Sequence, residues 1–243
     1  MTRSAATDPP QPDGPLYAVG DLHGRADLLE RMIDRIAADA AERGVAGTAV
    51  TVFLGDHVDR GADPRAVLAR LDAHRRAAPD RTICLMGNHE KMLLDALDGD
   101  PVRGARWLRH GGLETWDSFD LGPPPDDWEE AAPRLRAALG PAILAWLRDL
   151  PLMHCSGDVI CVHAALDPAA PPEAQVPRVM LWGHPRFLAK PRRDGLWVVH
   201  GHTPVHDPEV AGRRIAVDTG AWYSDRLTAA ALTPGEPVRF LQA

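Results

Sequence analysis

The chain has 243 residues, 45% hydrophobic and 25% charged, which is ordinary for a globular protein with a full core and leaves room for one large domain. Its formal net charge is −7 and Lys91 and Lys190 are its only lysines, so broad binding to nucleic acid or to an anionic membrane surface is not expected. No apolar run approaches membrane-spanning length, and Cys84, Cys155 and Cys161 form no CxxC pair, so a reduced cytoplasmic protein is expected.

Residues 1–14, rich in Pro and Asp, predict a disordered tail. A repeated grammar follows. "LYAV" predicts a strand, "GDLHG" a loop, and the spacing of Leu28, Leu29, Met32, Ile33 and Ile36 a helix capped by Asp27 and stopped by Gly44. "AVTVFL" predicts the next strand, with "GDHVDRG" behind it and Asp63-Pro64 opening another helix. "TICLM", "GNHE" and "KMLLDALDG" form the third unit. Three strand–loop–helix units imply an α/β fold with parallel pairing, and the continuously apolar strands imply cover on both faces. Residues 100–150 predict a helical insertion, with one helix ending near Leu139 and another starting at Pro141. Strands return in "DVICVHAAL", "LWVVHGHTP", "RRIAVDTG", "LTAAAL" and "VRFLQ", with antiparallel pairing expected among the last of them.

The strand ends carry the chemistry: Asp21 and His23, Asp56 and Asp59, Asn88 and His89, His163, then His200 and His202. Ligands collect at the carboxyl ends of strands in open α/β sheets, so these side chains are expected to converge. Carboxylates mixed with imidazoles suit Mn²⁺, Fe or Zn²⁺ better than Mg²⁺ or Ca²⁺. The donors are too many for one ion, and a carboxylate can bridge two.

"GDLHG", "GDHVDRG" and "GNHE", in this order, resemble the signature of calcineurin-like metallophosphoesterases, specifically the bacterial phosphoprotein phosphatase type. The resemblance runs from about residue 16 to 232 and includes "VHAAL", "LWGHPRFL", "HGHTP" and "VDTGAWYS". It implies two packed mixed β-sheets flanked by helices, in a catalytic domain over residues 15–243. It also implies two divalent cations, Mn²⁺ foremost with Fe or Zn as alternatives. Asp21, His23, Asp56, Asn88, His163 and His202 would be their ligands, with Asp56 as the bridge. His89 would be the acid that protonates the leaving oxygen, oriented by Asp59. Arg60, with Asn88 and His89, would hold the phosphate.

Two positions depart from that pattern. Ala165 stands where glycine is usual, and His184 stands where a second phosphate-binding arginine is usual, so Arg186 is taken as its replacement. His57 fills a variable slot, and His200 is read as structural. Core packing is the simpler account of Trp107 and Trp116, which flank "LRHGGLET".

The expected reaction is hydrolysis of a phosphate monoester by in-line attack of a metal-bound hydroxide. A serine/threonine phosphoprotein phosphatase is the leading reading, with a phosphoprotein or a small phosphorylated compound as substrate. A dinucleoside polyphosphate hydrolase is the alternative, since the shared motifs act on phosphorus and not on the leaving group. A nuclease usually carries GHxH where this chain has Pro204, and an inactive binding module would require a lost ligand.

Overall fold

β1, Leu16–Val19, pairs in parallel with β2, Val50–Phe53, which pairs in parallel with β3, Thr82–Cys84. The computed structural model describes residues 8–98 and 100–243. The first crossover is α1, Ala26–Glu42, which buries Leu28, Leu29, Met32, Ile33 and Ile36 as their spacing predicts. Its N-cap is Arg25 rather than Asp27; Asp27 lies in the first turn and takes Arg25 in a bidentate ion pair. The second crossover is α2, Pro64–Ala77, where the Asp63 carboxylate accepts from the Ala66 amide and proline supplies a preset φ. Strand β9, Thr228–Leu232, adds antiparallel to the free edge of β1, and β10, Arg239–Gln242, adds antiparallel to β9.

The second sheet has the order β4-β5-β6-β8-β7. Its centre is parallel: β5, Val159–Val162, β6, Trp197–His200, and β8, Arg214–Ala216. Antiparallel edges are β4, Met153–Ser156, and β7, Glu209–Ala211. These two edges were not legible as strands, because "MHCS" and "EVA" are short, mixed in polarity and incompletely buried. Antiparallel pairing among the late strands is found for β9 with β10, whereas β8 and β9 belong to different sheets.

The period of two along β1 shows how the sheets are covered. Leu16 and Ala18 face the layer between the sheets, with Val52, Leu54, Val159, Cys161, Val199 and Ile215. Tyr17 and Val19 face the other way, into the helices. Both faces are therefore dry, as the continuous apolar runs require.

The insertion consists of α4, Pro101–Trp107, an irregular turn at Leu108–Gly112, α5, Leu113–Ser118, and α6, Trp128–Arg148. Here α3 denotes Asn88–Leu97, the helix that begins inside "GNHE". Helix α6 bends at Gly140, with φ 75°, so its halves meet where the sequence places a break between Leu139 and Pro141. Of the tail expected over residues 1–14, residues 1–7 lie outside the described residues. Residues 10–13 run along the β4–β5 turn, where the Gln11 amide donates to Asp158 and the Gly157 amide to Asp13.

Candidate metal centre and acid site

The loops after β1, β2 and β3 open at one end of the first sheet, and the loops after β5, β6 and β8 open at the same place from the second. Asp21, His23, Asp56, Asn88 and His163 are all buried there, with His202 at the rim. The chain reaches this geometry through unusual backbone. Among the described residues seven other than glycine have a positive φ, and five of them, His23, Asp56, Asp59, Arg60 and His202, belong to this cluster. Such conformations cost on the order of 1–3 kcal/mol each and persist where surrounding bonds hold them.

Glu90 is the main holder, and the sequence reading did not single it out. Its fully buried carboxylate accepts four backbone N–H groups: Gly87 and Asp56 at 2.8 and 2.9 Å on Oε2, His57 and Val58 at 2.7 and 3.1 Å on Oε1. One side chain thus ties the turn of "GDHVDRG" to the start of α3. Gly87 permits the approach, since a Cβ there would lie 2.1 Å from Asp56 Oδ1.

His23 Nδ1 lies 3.0 Å from the Val58 carbonyl, and His163 Nδ1 lies 3.0 Å from the Leu54 carbonyl. Each carbonyl requires the proton on Nδ1. Burial lowers the His23 pKa to about 3 and the His163 pKa to about 4, so both rings are neutral and Nε2 is a bare lone pair. His163 Nε2 faces Asn88 Oδ1 at 2.9 Å and Asp56 Oδ1 at 3.4 Å, and His23 Nε2 faces Asp56 Oδ2 at 3.5 Å. Acceptors confront acceptors, which is repulsive unless a cation stands among them. Imidazoles fixed through Nδ1 to backbone carbonyls are also the usual arrangement of metal-ligating histidines.

Two groups of donor atoms each lie within 4.8 Å of one another: Asp56, His163 and His202, and His23, Asp56 and His89. Asp56 is common to both, as a bridging carboxylate must be. Asp21 lies outside both groups; it accepts from the His202 amide at 3.2 Å and stands 4.0 Å from His163 Nδ1. Burial, with the charges of Asp218 and Asp56, raises its pKa well above the carboxylate range, and burial raises that of Asp218 to about 6. A buried surplus of negative charge of this kind suits divalent cations. Asp218, in "VDTG", is a further residue the sequence reading passed over.

Beside these donors stands a dyad. His89 Nδ1 donates to Asp59 Oδ2 at 2.7 Å, and both side chains are buried. Burial pulls the His89 pKa down, but the charges of Asp56 and Asp59 outweigh it and hold it above the ordinary imidazole value. Asp59 is itself held from the insertion: Thr115 Oγ1 donates to Oδ1 at 2.7 Å, and the Trp107 indole donates at 3.1 and 3.0 Å to the two oxygens. Trp107 is therefore more than core packing. Arg60 donates to His89 Nε2 at 3.0 Å, and its amide donates to the Gly111 carbonyl. Gly111 has φ 108°, and a Cβ there would lie 2.6 Å from Arg60 Cγ. The segment "WLRHGG" is thus a clamp that seats both Asp59 and Arg60.

The remaining expected residues fall elsewhere. His57 turns away, with Nε2 3.1 Å from the Leu85 carbonyl. His200 ends β6 and packs on the Phe187 ring, and the positive φ of His202 separates the two histidines that strand alternation would put on one face. Arg60 has no bond to Asp63, which caps α2 instead. Arg186, expected as a phosphate-binding arginine, has a side chain that is 52% exposed, faces Asp167 at 4.0 Å and takes no part in the cluster's hydrogen bonds. His184, also beside Asp167 at 3.8 Å, does not fill the place either.

The calcineurin-like phosphoesterase family model matches residues 14–223, most of the chain. The chain belongs to the calcineurin-like phosphoesterase family. It is a metallophosphoesterase, a hydrolase, and its buried His/Asp groups are of the kind that can hold the family's divalent metals. Among curated relatives, bis(5'-nucleosyl)-tetraphosphatase PrpE [asymmetrical] of Bacillus velezensis is 27% identical over 86% of both chains. A symmetrical bis(5'-nucleosyl)-tetraphosphatase of Dechloromonas aromatica is 30% identical over 63% of this chain but only 44% of its own length. Among solved structures, a protein serine/threonine phosphatase from Saccharomyces cerevisiae is 17% identical with a TM-score of 0.64, covering 96% of this chain and 81% of that one. At that identity the likeness is one of fold, and it bears out the two mixed sheets flanked by helices. No helix among the described residues is long and apolar enough to cross a membrane.

Proposed function

We propose that this metallophosphoesterase hydrolyses dinucleoside polyphosphates, cleaving a phosphoanhydride, and so follows the reading that the sequence placed second. The observation that carries it is the match to a bis(5'-nucleosyl)-tetraphosphatase over 86% of both chains. The leading reading, a serine/threonine phosphoprotein phosphatase, has only likeness of fold behind it.

Asp21, His23 and Asp56 would hold one divalent cation, and Asp56, Asn88, His163 and His202 a second, with Mn²⁺ the first to supply. Such a pair, when bound, would acidify a water and meet phosphoryl charge. The chain's own residues do the rest. Arg60 offers its fork of donors to the equatorial oxygens of the phosphoryl group, helped by Asn88 and His89. A phosphate that draws Arg60 away frees Nε2 to carry a proton taken up from solvent, which the raised pKa of His89 favours. Asp59 fixes the ring and favours the imidazolium, which gives that proton to the departing oxygen. A phosphate oxygen is a much weaker base than an alkoxide, so an anhydride asks less of His89 than phosphoserine does.

The test is kcat/KM of the purified chain, supplied with Mn²⁺, on diadenosine tetraphosphate and on a phosphoserine peptide, with the products separated. A clear preference for diadenosine tetraphosphate is expected, and the products, ATP with AMP or two ADP, report which bond is cut. A preference for the phosphopeptide sinks the proposal.

A further inference from the structure

Just past "VDTG" the chain makes one helical turn, α7, Ala221–Ser224, which leaves two aromatic side chains in the open. Trp222 is 41% exposed and Tyr223 56%, with ring centroids 5.2 Å apart and planes nearly perpendicular. Single exposed aromatics are common on protein surfaces. This pair differs in two ways. First, its backbone is fixed. Asp218 accepts from the Gly220 amide, Ser224 Oγ donates to the Thr219 carbonyl, and Arg25 reaches across from the start of α1 to the Ala221 carbonyl. Tyr223 lies against Gly220, where a Cβ would meet its ring at 2.2 Å. Second, the Arg60 guanidinium stands 5.6 Å from the centroid of the Trp222 ring, while the same group reaches His89 Nε2. One arginine therefore spans from the acid to the exposed indole.

We propose that Trp222, braced by Tyr223, is a stacking platform for a nucleobase, so that the site takes a 5'-nucleotide with its phosphate on Arg60 and its base on the indole. The proposal rests on the function argued above for the kind of substrate, but its geometry is independent of which bond is cut. A nucleotide carries a flat aromatic ring one sugar away from its phosphate, and a planar indole beside a phosphate-binding arginine is complementary to it. Neither a serine nor a threonine phosphoester has a ring to offer. Stacking of one base on an aromatic side chain is worth about 5- to 100-fold in binding and is tolerant of base identity, because every base has a π-face.

The test uses competition against hydrolysis of p-nitrophenyl phosphate, comparing AMP with ribose 5-phosphate. The two inhibitors share phosphate and sugar and differ by the base. Any disturbance of Arg60 acts on both and cancels in the ratio of their inhibition constants. In the wild type AMP is expected to inhibit about 5- to 100-fold more tightly. Trp222→Ala should bring the ratio close to one, and Trp222→Phe should keep most of it, which separates stacking from a disturbed loop. Equal inhibition by both compounds in the wild type, or an unchanged ratio in Trp222→Ala, overturns the proposal. A ratio that depends on Trp222 in an enzyme that does not cleave diadenosine tetraphosphate would sustain the platform and refute the proposed function. Cleavage of that compound with a ratio indifferent to Trp222 would do the reverse.

Discussion

Two tryptophans approach the Asp59–Arg60 segment from different regions of the molecule. Trp107 arrives from the helical insertion, fully buried, and spends its indole N–H on the Asp59 carboxylate. Trp222 arrives from the turn after β8, exposed, and presents its ring face to Arg60. The same residue type thus serves the same centre through different chemistry. A buried donor can only act on the charge of its neighbour and so on the proton transfer, whatever the substrate. An exposed ring can act only on substrates that carry a complementary surface. The insertion should therefore set rate, and the turn after β8 should set selectivity.

The comparison presupposes one shared centre, and breaking that centre should erase it. Removal of divalent cations by chelation, or Asp56→Asn, is expected to take hydrolysis of every phosphate compound to near background. Elemental analysis should show metal lost from both sites in the variant, more than the ~10–100-fold weakening typical of losing an outer partner of a ligand. Full activity in protein verified as metal-free would refute the centre itself.

The next largest effect isolates the acid. His89→Asn should lower kcat by about 10²–10⁴-fold on a phosphoserine peptide, with metal content little changed. The loss should shrink on p-nitrophenyl phosphate and on diadenosine tetraphosphate, whose leaving oxygens need the proton less. Equal losses on all three would remove His89 from proton transfer.

Trp107→Phe and Thr115→Val then test the insertion side directly. Each deletes one donor to a buried carboxylate, a bond of about 1.5–3 kcal/mol, and should lower kcat roughly tenfold or somewhat more on the poor leaving group. KM should move little, and the loss should show the same leaving-group dependence as that of His89→Asn, which a merely loosened core would not produce. A change confined to KM would abolish the contrast with Trp222.

The smallest expected effect comes from a carboxylate held by donors far from the centre. Asp39 accepts from Tyr17 Oη at 2.6 Å and from both ends of the Arg239 guanidinium at 2.7 and 2.9 Å, and the Arg239 bond, foremost, keeps its pKa below the usual carboxylate value. Asp39→Asn should leave kcat unchanged and reduce stability by about 2 kcal/mol near pH 7. Because the folded pKa is depressed, that stabilisation is complete above the ordinary carboxylate pKa and lost as pH falls through the folded value. The difference between variant and wild type in urea unfolding should therefore narrow below about pH 4. A difference that stays constant with pH would mean that the ion pair contributes nothing.

What could be read from the sequence was whatever the chain writes in consecutive residues. "GDLHG", "GDHVDRG" and "GNHE" each follow an apolar run, so the convergence of Asp21, His23, Asp56, Asp59, Arg60, Asn88 and His89 could be read in advance. His163 and His202 were legible for the same reason. Thr115 and Trp107 were not, because their partner Asp59 is 56 and 48 positions away and nothing local distinguishes a donor from a packing residue. Glu90 was hidden in plain view: its four acceptor bonds go to backbone amides, which leave no mark in a sequence. The two functional readings were not separable in the sequence, since motifs that bind phosphorus carry no information about what leaves it.

The order β10-β9-β1-β2-β3 has a consequence for how the protein is made. The parallel trio β1, β2 and β3 is complete once residue 84 has been synthesised, yet the remaining edge of β1 waits for residues 228–232. A growing chain of about 220 residues already contains Asp21 through Asp218 but presents that edge as an open template for other strands. Closure over more than 200 positions of sequence is slow relative to local helix formation. The nascent chain therefore passes through a long interval in which every residue of the donor cluster is present while one edge of the sheet beneath them is still unpaired. Expression that outruns this last pairing step should yield aggregates, and lower temperature or slower synthesis during production should raise the soluble fraction.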